Sequence, residues 1–197
     1  MQKWLVGVDE AGRGPFAGPL VLALFIAPAR RAPRLFRGIR DSKKLSALRR
    51  EEWFGRFKDD SRVFFLSAAV APQTLDRWGV TRAIRRGMRR LFCRALEHPA
   101  LAAKSGATVL LDGSLFAPPE YPQKTIIKGD EKVPVIAAAS IIAKVRRDRY
   151  MVRLAKKFPQ YGFEIHKGYG TKMHRERIRT HGLCDAHRRS YCAKYAN

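Results

Sequence analysis

The chain has 197 residues, of which 46% are hydrophobic, so it is long enough for one domain with a real core and too apolar to be mostly disordered. Forty Lys and Arg residues stand against 17 Asp and Glu residues, which leaves a formal net charge of +23. This excess predicts an anionic partner, either nucleic acid or a membrane surface. It also favours a monomer, because copies of the chain repel each other.

Neither a membrane span nor a secretion signal is expected. The longest purely apolar runs, at residues 20–27 and 135–139, fall well short of the roughly 18 residues that a span requires. The first residues reach Asp9 too soon for a signal peptide. The three cysteines show no CxxC spacing, which indicates a reducing compartment. The cytoplasm is therefore the expected location.

Hydrophobic periodicity predicts the secondary structure in chain order. The predicted strands cover residues 3–9, 18–27, 62–71, 108–112 and 125–128, with a loop at 28–40. The predicted helices cover residues 46–57, 80–98, 134–158 and 171–180. This order predicts a single α/β domain over residues 1–197, with a mixed sheet and a helical C-terminal extension at about residues 159–197.

The predicted helix at 80–98 is unusually basic. Arg82, Arg86, Arg89 and Arg90 lie largely away from its apolar positions. Two interpretations remain open, an ordinary solvated helix face and a face that contacts phosphates.

Acidic residues are scarce, and several follow predicted strands directly. Asp9 and Glu10 follow the first strand, Asp112 follows the fourth and Asp130 follows the fifth. A single acid in such a place is commonly a turn residue. Because several strands of an α/β sheet bring their ends to one edge, these acids are expected to converge.

Converging carboxylates repel each other unless cations lie between them, and Mg²⁺ prefers such oxygen ligands. Two ions of this kind can activate a water and stabilise the leaving oxygen of a phosphodiester. The pattern therefore predicts an enzyme that cuts phosphodiesters, with a basic surface that holds the backbone. Asp9 and Glu10 point to opposite faces of a regular strand, so both reach one site only if the strand bends there.

A glycine-rich run follows the first acids and is the most specific feature of the sequence. It reads Asp-Glu-Ala-Gly-Arg-Gly-Pro-Phe-Ala-Gly-Pro over residues 9–19. Gly12 and Gly14 lack Cβ atoms, so the backbone can approach a ligand closely there. N–H groups in such a turn can donate to sugar or phosphate oxygens.

The run resembles the signature of the ribonuclease HII family, the bacterial type 2 ribonucleases H. Further blocks resemble that family in the same order and span nearly the whole chain. They are Asp-Ser-Lys-Lys-Leu at 41–45, Leu-Asp-Gly at 111–113, Lys-Gly-Asp at 128–130, Ala-Ala-Ser-Ile-Ile-Ala-Lys-Val at 138–145 with Arg-Asp at 147–148, His-Lys-Gly-Tyr-Gly-Thr at 166–171 and His-Arg-Arg-Ser-Tyr at 187–191. The related type 3 enzymes differ at the Arg-Gly step of the first block.

The resemblance implies a ribonuclease H-like mixed sheet of about five strands, flanked by helices. It also implies an endonuclease that hydrolyses the RNA strand of RNA/DNA hybrids and cuts on the 5′ side of ribonucleotides in duplex DNA. The products would be a 3′-OH and a 5′-phosphate, and the biological role would be ribonucleotide removal from DNA. Mg²⁺ or Mn²⁺ would be the cofactor.

The resemblance also implies roles for individual residues. The catalytic, metal-binding carboxylates would be Asp9, Glu10, Asp112 and Asp130. The substrate-binding residues would be Gly12, Arg13 and Gly14 at the ribose 2′-OH, Tyr169 at the sugar on the 3′ side of the cut, and Ser42, Lys43 and Lys144 at phosphates. For Ser42, Lys43 and Lys144 an ordinary surface or capping role stays open.

Other interpretations compete with this one. A basic nucleic-acid-binding protein without catalysis explains the charge but leaves the acids without a purpose. A different nuclease of similar fold explains the acids but not the glycine-rich run. The histidines near Cys184 match no zinc spacing. Asp148 is expected to pair with Lys144, four residues earlier on the same helix.

Overall fold

The computed structural model describes residues 4–39, 45–102 and 107–195. Within these ranges five strands form one sheet in the order β3-β2-β1-β4-β5. The strands are β1 (Trp4–Ala11), β2 (Leu20–Pro28), β3 (Phe64–Val70), β4 (Ala107–Asp112) and β5 (Gln123–Ile126). The pairs β1/β2 and β2/β3 are antiparallel, whereas β1/β4 and β4/β5 are parallel. The predicted mixed sheet with flanking helices is confirmed.

Helices cover both faces of the sheet. Those in the described ranges are α1 (Ala32–Leu35), α2 (Ala47–Asp59), α3 (Pro72–Ala95), α4 (Pro99–Ala102), α5 (Gly129–Lys132), α6 (Pro134–Lys157), α7 (Phe163–His166), α8 (Lys172–His181) and α9 (Arg189–Cys192). Single 3-10 turns lie at Ala29–Arg31 and Pro159–Tyr161. None of the helices in the described ranges is both long and apolar enough to cross a bilayer.

Hydrophobic residues are packed on both faces of the sheet, and β2 is therefore buried along its whole length. On one face, α3 packs against the side chains of alternate β2 residues such as Leu22 and Leu24. On the other face, α6 and α2 pack against Ala23 and Phe25. The first turn of α6 lies directly on β1, where a Cβ atom on Gly7 would come within 2.2 Å of the Val135 carbonyl oxygen.

Several predicted boundaries are wrong, and each error has a local cause. The strand predicted to end at Asp9 continues to Ala11, because its pairing with β2 is unbroken to that point. The helix predicted from residue 80 begins at Pro72, and Gly79 (φ 69°, ψ 161°) kinks it. Part of the loop predicted at 28–40 is helical, as α1 and the 3-10 turn before it show.

The last predicted strand is also displaced, which changes the place of one candidate site residue. β5 is Gln123–Ile126 rather than 125–128, and Asp130 lies in the short helix α5 instead of at a strand end. The chain turns between the two elements at Lys128, which has a left-handed backbone (φ 55°). Gly129 packs against the Ile126 and Ile136 side chains at a distance that leaves no room for a Cβ atom.

The segment after α6 packs onto the glycine-rich turn. The N–H of Phe16 donates to the Gly168 carbonyl at 2.8 Å, and the N–H of Gly18 donates to the Ala186 carbonyl at 2.8 Å. Ala17 also forms an isolated antiparallel bridge with His187. The C-terminal segment therefore fixes the shape of the turn that follows β1.

Candidate active site

The first two acids sit near the end of β1 and have different surroundings. Asp9 is buried, and its Oδ1 accepts a hydrogen bond from the N–H of Glu10 at 2.7 Å. Glu10 is partly buried, and its Oε1 accepts a hydrogen bond from Arg13 Nε. The other oxygen of that carboxylate, Oε2, is buried and meets no hydrogen-bond donor among the described residues.

Asp112 and Asp130 come to the same edge from two other elements. Asp112 ends β4, which is parallel to β1 and adjacent to it. Its Oδ1 accepts a hydrogen bond from the N–H of Gly129 at 2.6 Å and lies 3.4 Å from the N of Asp130. Asp130 itself is 2% exposed. Asp130 thus reaches this edge from α5, beside Asp112, and not from the end of a strand as the sequence predicted.

The carboxylates at this edge destabilise each other's charged forms. The pKa of Asp9 is raised well above its ordinary value, first by burial and then by the charges of Glu10 and Asp112. Burial also raises the pKa of Glu10, and Asp112 adds to this, while the Arg13 guanidinium partly offsets it. Such a site gains stability from a bound cation.

The described residues contain no group of three or more His, Cys, Asp or Glu side chains already arranged around a metal position. The side chains are turned instead towards protein donors, Glu10 towards Arg13 and Asp112 towards Gly129. The donor chemistry nevertheless fits a hard divalent cation, because every candidate ligand is a carboxylate and the buried Glu10 Oε2 meets no donor in the part of the chain that the structure describes.

A polar relay on α6 connects these acids. The ammonium of Lys144 donates to Ser140 Oγ at 2.8 Å and lies 4.0 Å from Asp130 Oδ2. Ser140 also acts on Asp9, because its side chain lowers the pKa of Asp9 against the larger effect of burial. Lys144 therefore faces the edge of the sheet where the acids lie. The sequence predicted no direct role for Ser140.

The predicted pair between Asp148 and Lys144 is wrong. Asp148 Oδ2 lies 3.5 Å from Arg50 on α2, whereas Lys144 turns to Ser140 on the preceding turn of α6. The carboxylate of Asp148 thus ties α2 to α6 and does not join the acidic edge.

The glycine-rich turn is held from behind by Arg188, which is fully buried. Its guanidinium donates to the carbonyl oxygens of Gly12 at 2.7 Å, Arg13 at 2.7 Å and Gly18 at 2.9 Å. No turn or loop hydrogen bond of the described residues uses the N–H groups of Arg13 and Gly14. Gly14 is exposed, and no other atom lies within 4 Å of where its Cβ would be.

A second buried arginine, Arg147 on α6, links the same turn to the loop that carries Tyr169. Its guanidinium donates to the carbonyls of Ala17, Pro19 and Lys167. It also lies 5.6 Å from the centre of the Tyr169 ring, which is half exposed. Gly12 (φ 92°) must lack a side chain, since a Cβ there would come within 2.2 Å of Arg147 Nε.

Three histidines behind this loop form a buried, neutral network. His174 Nδ1 lies 2.9 Å from the Tyr169 carbonyl, and its Nε2 lies 3.1 Å from His187 Nε2. His187 Nδ1 accepts from the N–H of Cys184, and His166 Nδ1 accepts from the N–H of Gly168. Each ring thus needs one unprotonated nitrogen. Burial lowers the pKa of both His174 and His187 to about 4.

The structure thus brings most of the candidate residues to one end of the sheet. The four acids and Lys144 form the acidic edge, and residues 12–14 lie directly after β1. Ser42 and Lys43 lie outside the described residues. Arg147 and Arg188 belong to blocks noted in the sequence, but burial cannot be read from a basic residue in a basic chain. Their contacts appear only with the fold.

Solved structures of similar fold define the class of protein. The ribonuclease H2 of Pyrococcus horikoshii OT3 is 26% identical, with a TM-score of 0.74, over 98% of this chain and 96% of that one. An Archaeoglobus fulgidus ribonuclease HII, solved as a complex with PCNA, is 30% identical, with a TM-score of 0.69, over 95% of this chain and 94% of that one. A ribonuclease H-like fold with acids at the end of its sheet defines a nuclease of the ribonuclease H class.

The sequence comparisons identify the family within that class. The family profile described as Ribonuclease HII matches residues 6–194. The ribonuclease HII of Bacillus thuringiensis (strain Al Hakam) is 42% identical over 188 residues, which cover 95% of this chain and 68% of that protein. The chain belongs to the ribonuclease HII family, as its sequence motifs predicted, and it is a ribonuclease H that acts on the RNA of RNA/DNA hybrids.

Proposed function

We propose that the protein cuts on the 5′ side of ribonucleotides embedded in duplex DNA, leaving a 3′-OH and a 5′-phosphate, and so removes ribonucleotides from DNA. One observation carries this proposal. The acidic edge lies next to a turn whose carbonyls are bound by Arg188, while the N–H groups of Arg13 and Gly14 are not used in the turn. The 2′-OH is what distinguishes RNA from DNA at a single site.

The divalent metal site of the proposal consists of Asp9, Glu10, Asp112 and Asp130. Their carboxylates suit Mg²⁺ and Mn²⁺. The raised pKa values of Asp9 and Glu10 indicate that their charged forms are destabilised, and a bound cation would stabilise them. When two such ions are bound, they supply an activated water and stabilise the leaving oxygen. The ammonium of Lys144, 4.0 Å from Asp130 Oδ2, supports a phosphate contact by Lys144 beside the acidic edge.

The other residues act on the substrate in the proposed mechanism. The turn at 12–14 binds the 2′-OH through main-chain N–H groups. Tyr169, half exposed beside Arg147, packs against the sugar on the 3′ side of the cut. Ser42, Lys43 and Lys144 contact phosphates, and Arg13 keeps the Glu10 carboxylate in place through its guanidinium.

Replacement of single acids tests the proposal. Asp9→Asn and Asp112→Asn should abolish turnover of a duplex with one ribonucleotide, because each removes a negative ligand while keeping the side-chain shape. Affinity for that duplex in EDTA should stay within about twofold of wild type, since phosphate contacts dominate binding. Asp148→Asn is the matched control, and it should keep activity because its partner is Arg50. Near wild-type turnover by Asp9→Asn would contradict the assignment.

A further inference from the structure

A groove runs beside α3, apart from the candidate active-site residues and along the basic helix face whose role the sequence left open. It encloses about 560 Å³ between the exposed face of α3 and the loop that joins β4 to β5. Its charged wall is provided by α3 and its apolar wall by the loop. The principal lining residues are Arg82, Arg85, Arg86, Arg89, Phe116 and Pro118. We refer to this feature as the arginine groove.

Among the described residues, no carboxylate neutralises the four arginines of the arginine groove. All four are exposed, and none forms an ion pair with another residue in the described part of the chain. Arg82 and Arg89 lie two helical turns apart, about 10 Å along the axis at the usual rise per residue. Guanidinium groups are suited to bidentate contacts with phosphate.

The opposite wall of the arginine groove is preformed. The side-chain amide of Gln123 accepts from the N–H of Ala117 at 2.9 Å and donates to the carbonyls of the same loop. Leu115 is fully buried, and the buried ring of Tyr121 packs on Phe92 of α3 with centres 5.0 Å apart. The loop is thereby attached to α3, so a ligand meets a groove that needs little ordering.

The arginine groove also lies close to the acidic edge. Its loop begins at Asp112, and Ser114 Oγ accepts a hydrogen bond from Arg13 at 3.1 Å. Phe116, which is 60% exposed at the rim, is four residues after Asp112 and so within about 14 Å of it along the chain. At about 3.4 Å per base pair, this upper limit corresponds to at most about four base pairs of duplex.

We propose that the arginine groove binds backbone phosphates of the nucleic-acid duplex, with its nearer rim within about four base pairs of the point of cleavage. The inference deepens the proposed function and rests on it, since the ligand is a flank of the same substrate. The charge alone would also suit an acidic protein segment. The hydrogen bond from Arg13 to Ser114 favours nucleic acid, because it joins the loop of the groove to the turn beside the acidic edge, where the proposed function places the substrate.

A binding measurement on a matched pair of variants tests the proposal. The groove variant is Arg82→Gln/Arg85→Gln/Arg89→Gln, which spares Arg86 because its guanidinium lies 5.0 Å from the Trp78 ring centre. The control is Arg30→Gln/Arg31→Gln/Arg34→Gln, which removes the same charge. Those arginines are exposed and follow the end of β2 that pairs with Trp4, at the opposite end of β1 from the acids.

The probe is a fluorescein-labelled all-DNA duplex of about 25 base pairs, followed by anisotropy in EDTA at several salt concentrations. The groove variant should bind about tenfold or more weakly at about 0.1 M salt, and its slope of log K against log salt should be shallower by about 2 to 3, because about 0.9 is lost per phosphate contact. The control should change the affinity less than the groove variant does and leave the slope intact.

A shortened substrate locates the contact. Two duplexes with one ribonucleotide are used, one ending about three base pairs to the 5′ side of it and the other about three base pairs to the 3′ side. On one of these two duplexes, which lacks the base pairs that reach the groove, wild type and groove variant should cut with equal KM. Equal losses of binding in both triple variants, no loss in the groove variant, or the same KM difference on every duplex would overturn the proposal. Since the binding probe contains no ribonucleotide, failure of wild type to cut would count against the proposed function alone.

Discussion

At the scale of single residues, the most unusual feature of the protein is a fully buried arginine that stabilises backbone. Arg188 makes hydrogen bonds to three carbonyls of the glycine-rich turn and forms no ion pair within the described ranges. Burial lowers the pKa of its guanidinium to about 10, so it stays charged at neutral pH. The carbonyl contacts compensate for lost hydration and fix the peptide planes of the turn.

Arg188→Lys should separate this positioning role from folding. A lysine keeps the charge but cannot hold three carbonyls with a planar fork, so the turn should shift by a fraction of an ångström. We expect kcat/KM on a duplex with one ribonucleotide to fall about 100-fold. Affinity for an all-DNA duplex should be unchanged.

The control is Arg189→Lys, at the exposed neighbouring position. It should retain wild-type kcat/KM. If Arg188→Lys kept full activity, or lost all-DNA binding as strongly as cleavage, the turn would not depend on Arg188 in the way proposed.

At the scale of elements, the contact between β1 and α6 determines where the acids lie. The first turn of α6 packs against Gly7 of β1. Further along α6, Ser140, Lys144 and Arg147 lie on the face that meets Asp9 and Gly12. A side chain at Gly7 has no space, because its Cβ would overlap the backbone of Val135.

Gly7→Ala should therefore lower the free energy of unfolding by about 3 kcal/mol, the upper part of the usual cost of overpacking. Gly55→Ala is the matched control, since Gly55 lies within α2 and a Cβ there meets no atom within 4 Å. It should raise stability by about 0.5–1 kcal/mol. Urea unfolding of both variants measures the difference, and similar values for the two would contradict the close approach of β1 and α6.

The C-terminal helices should respond to pH through their histidines. The pKa of His174 and that of His187 are about 4 in the folded chain and ordinary when unfolded, so the unfolded state binds more protons below about pH 6.5. Stability should therefore be lost as pH falls from about 6.5 towards 4.

Urea unfolding at several pH values between 7 and 5 checks this expectation. The variant His174→Gln/His187→Gln should show a weaker dependence on pH than the wild type. His181→Gln, at an exposed position, should keep the wild-type dependence. An unchanged dependence in the double variant would exclude the histidine network as its source.

The sequence predicted the strands of the sheet well, because runs of hydrophobic residues mark segments that are buried together. It placed β2 and β4 within two residues of their ends, and three of the four acids do lie at or near strand ends, Asp9 and Glu10 inside β1 and Asp112 as the last residue of β4. It misplaced Asp130, because the left-handed backbone at Lys128 ends β5 early and starts a helical turn. Nothing local reveals this, since lysine rarely adopts that conformation.

At the scale of the whole molecule, the charge is divided between two functions. The net charge of +23 attracts a polyanion, whereas four of the 17 acids lie together at one edge and need a cation to coexist. The sequence predicted this division but not the contacts that shape the site. Those contacts come from Arg147 and Arg188, which lie about 130 and 170 residues along the chain from their carbonyl partners in residues 9–19.

We propose that the protein cuts at single ribonucleotides by metal-dependent hydrolysis. The most direct test compares a labelled DNA duplex that carries one ribonucleotide with an all-DNA duplex, each with Mg²⁺, Mn²⁺ or EDTA. We predict cleavage on the 5′ side of the ribonucleotide with either metal, none in EDTA, and an intact control. Cleavage of both duplexes, or of neither while binding persists, would contradict the claim.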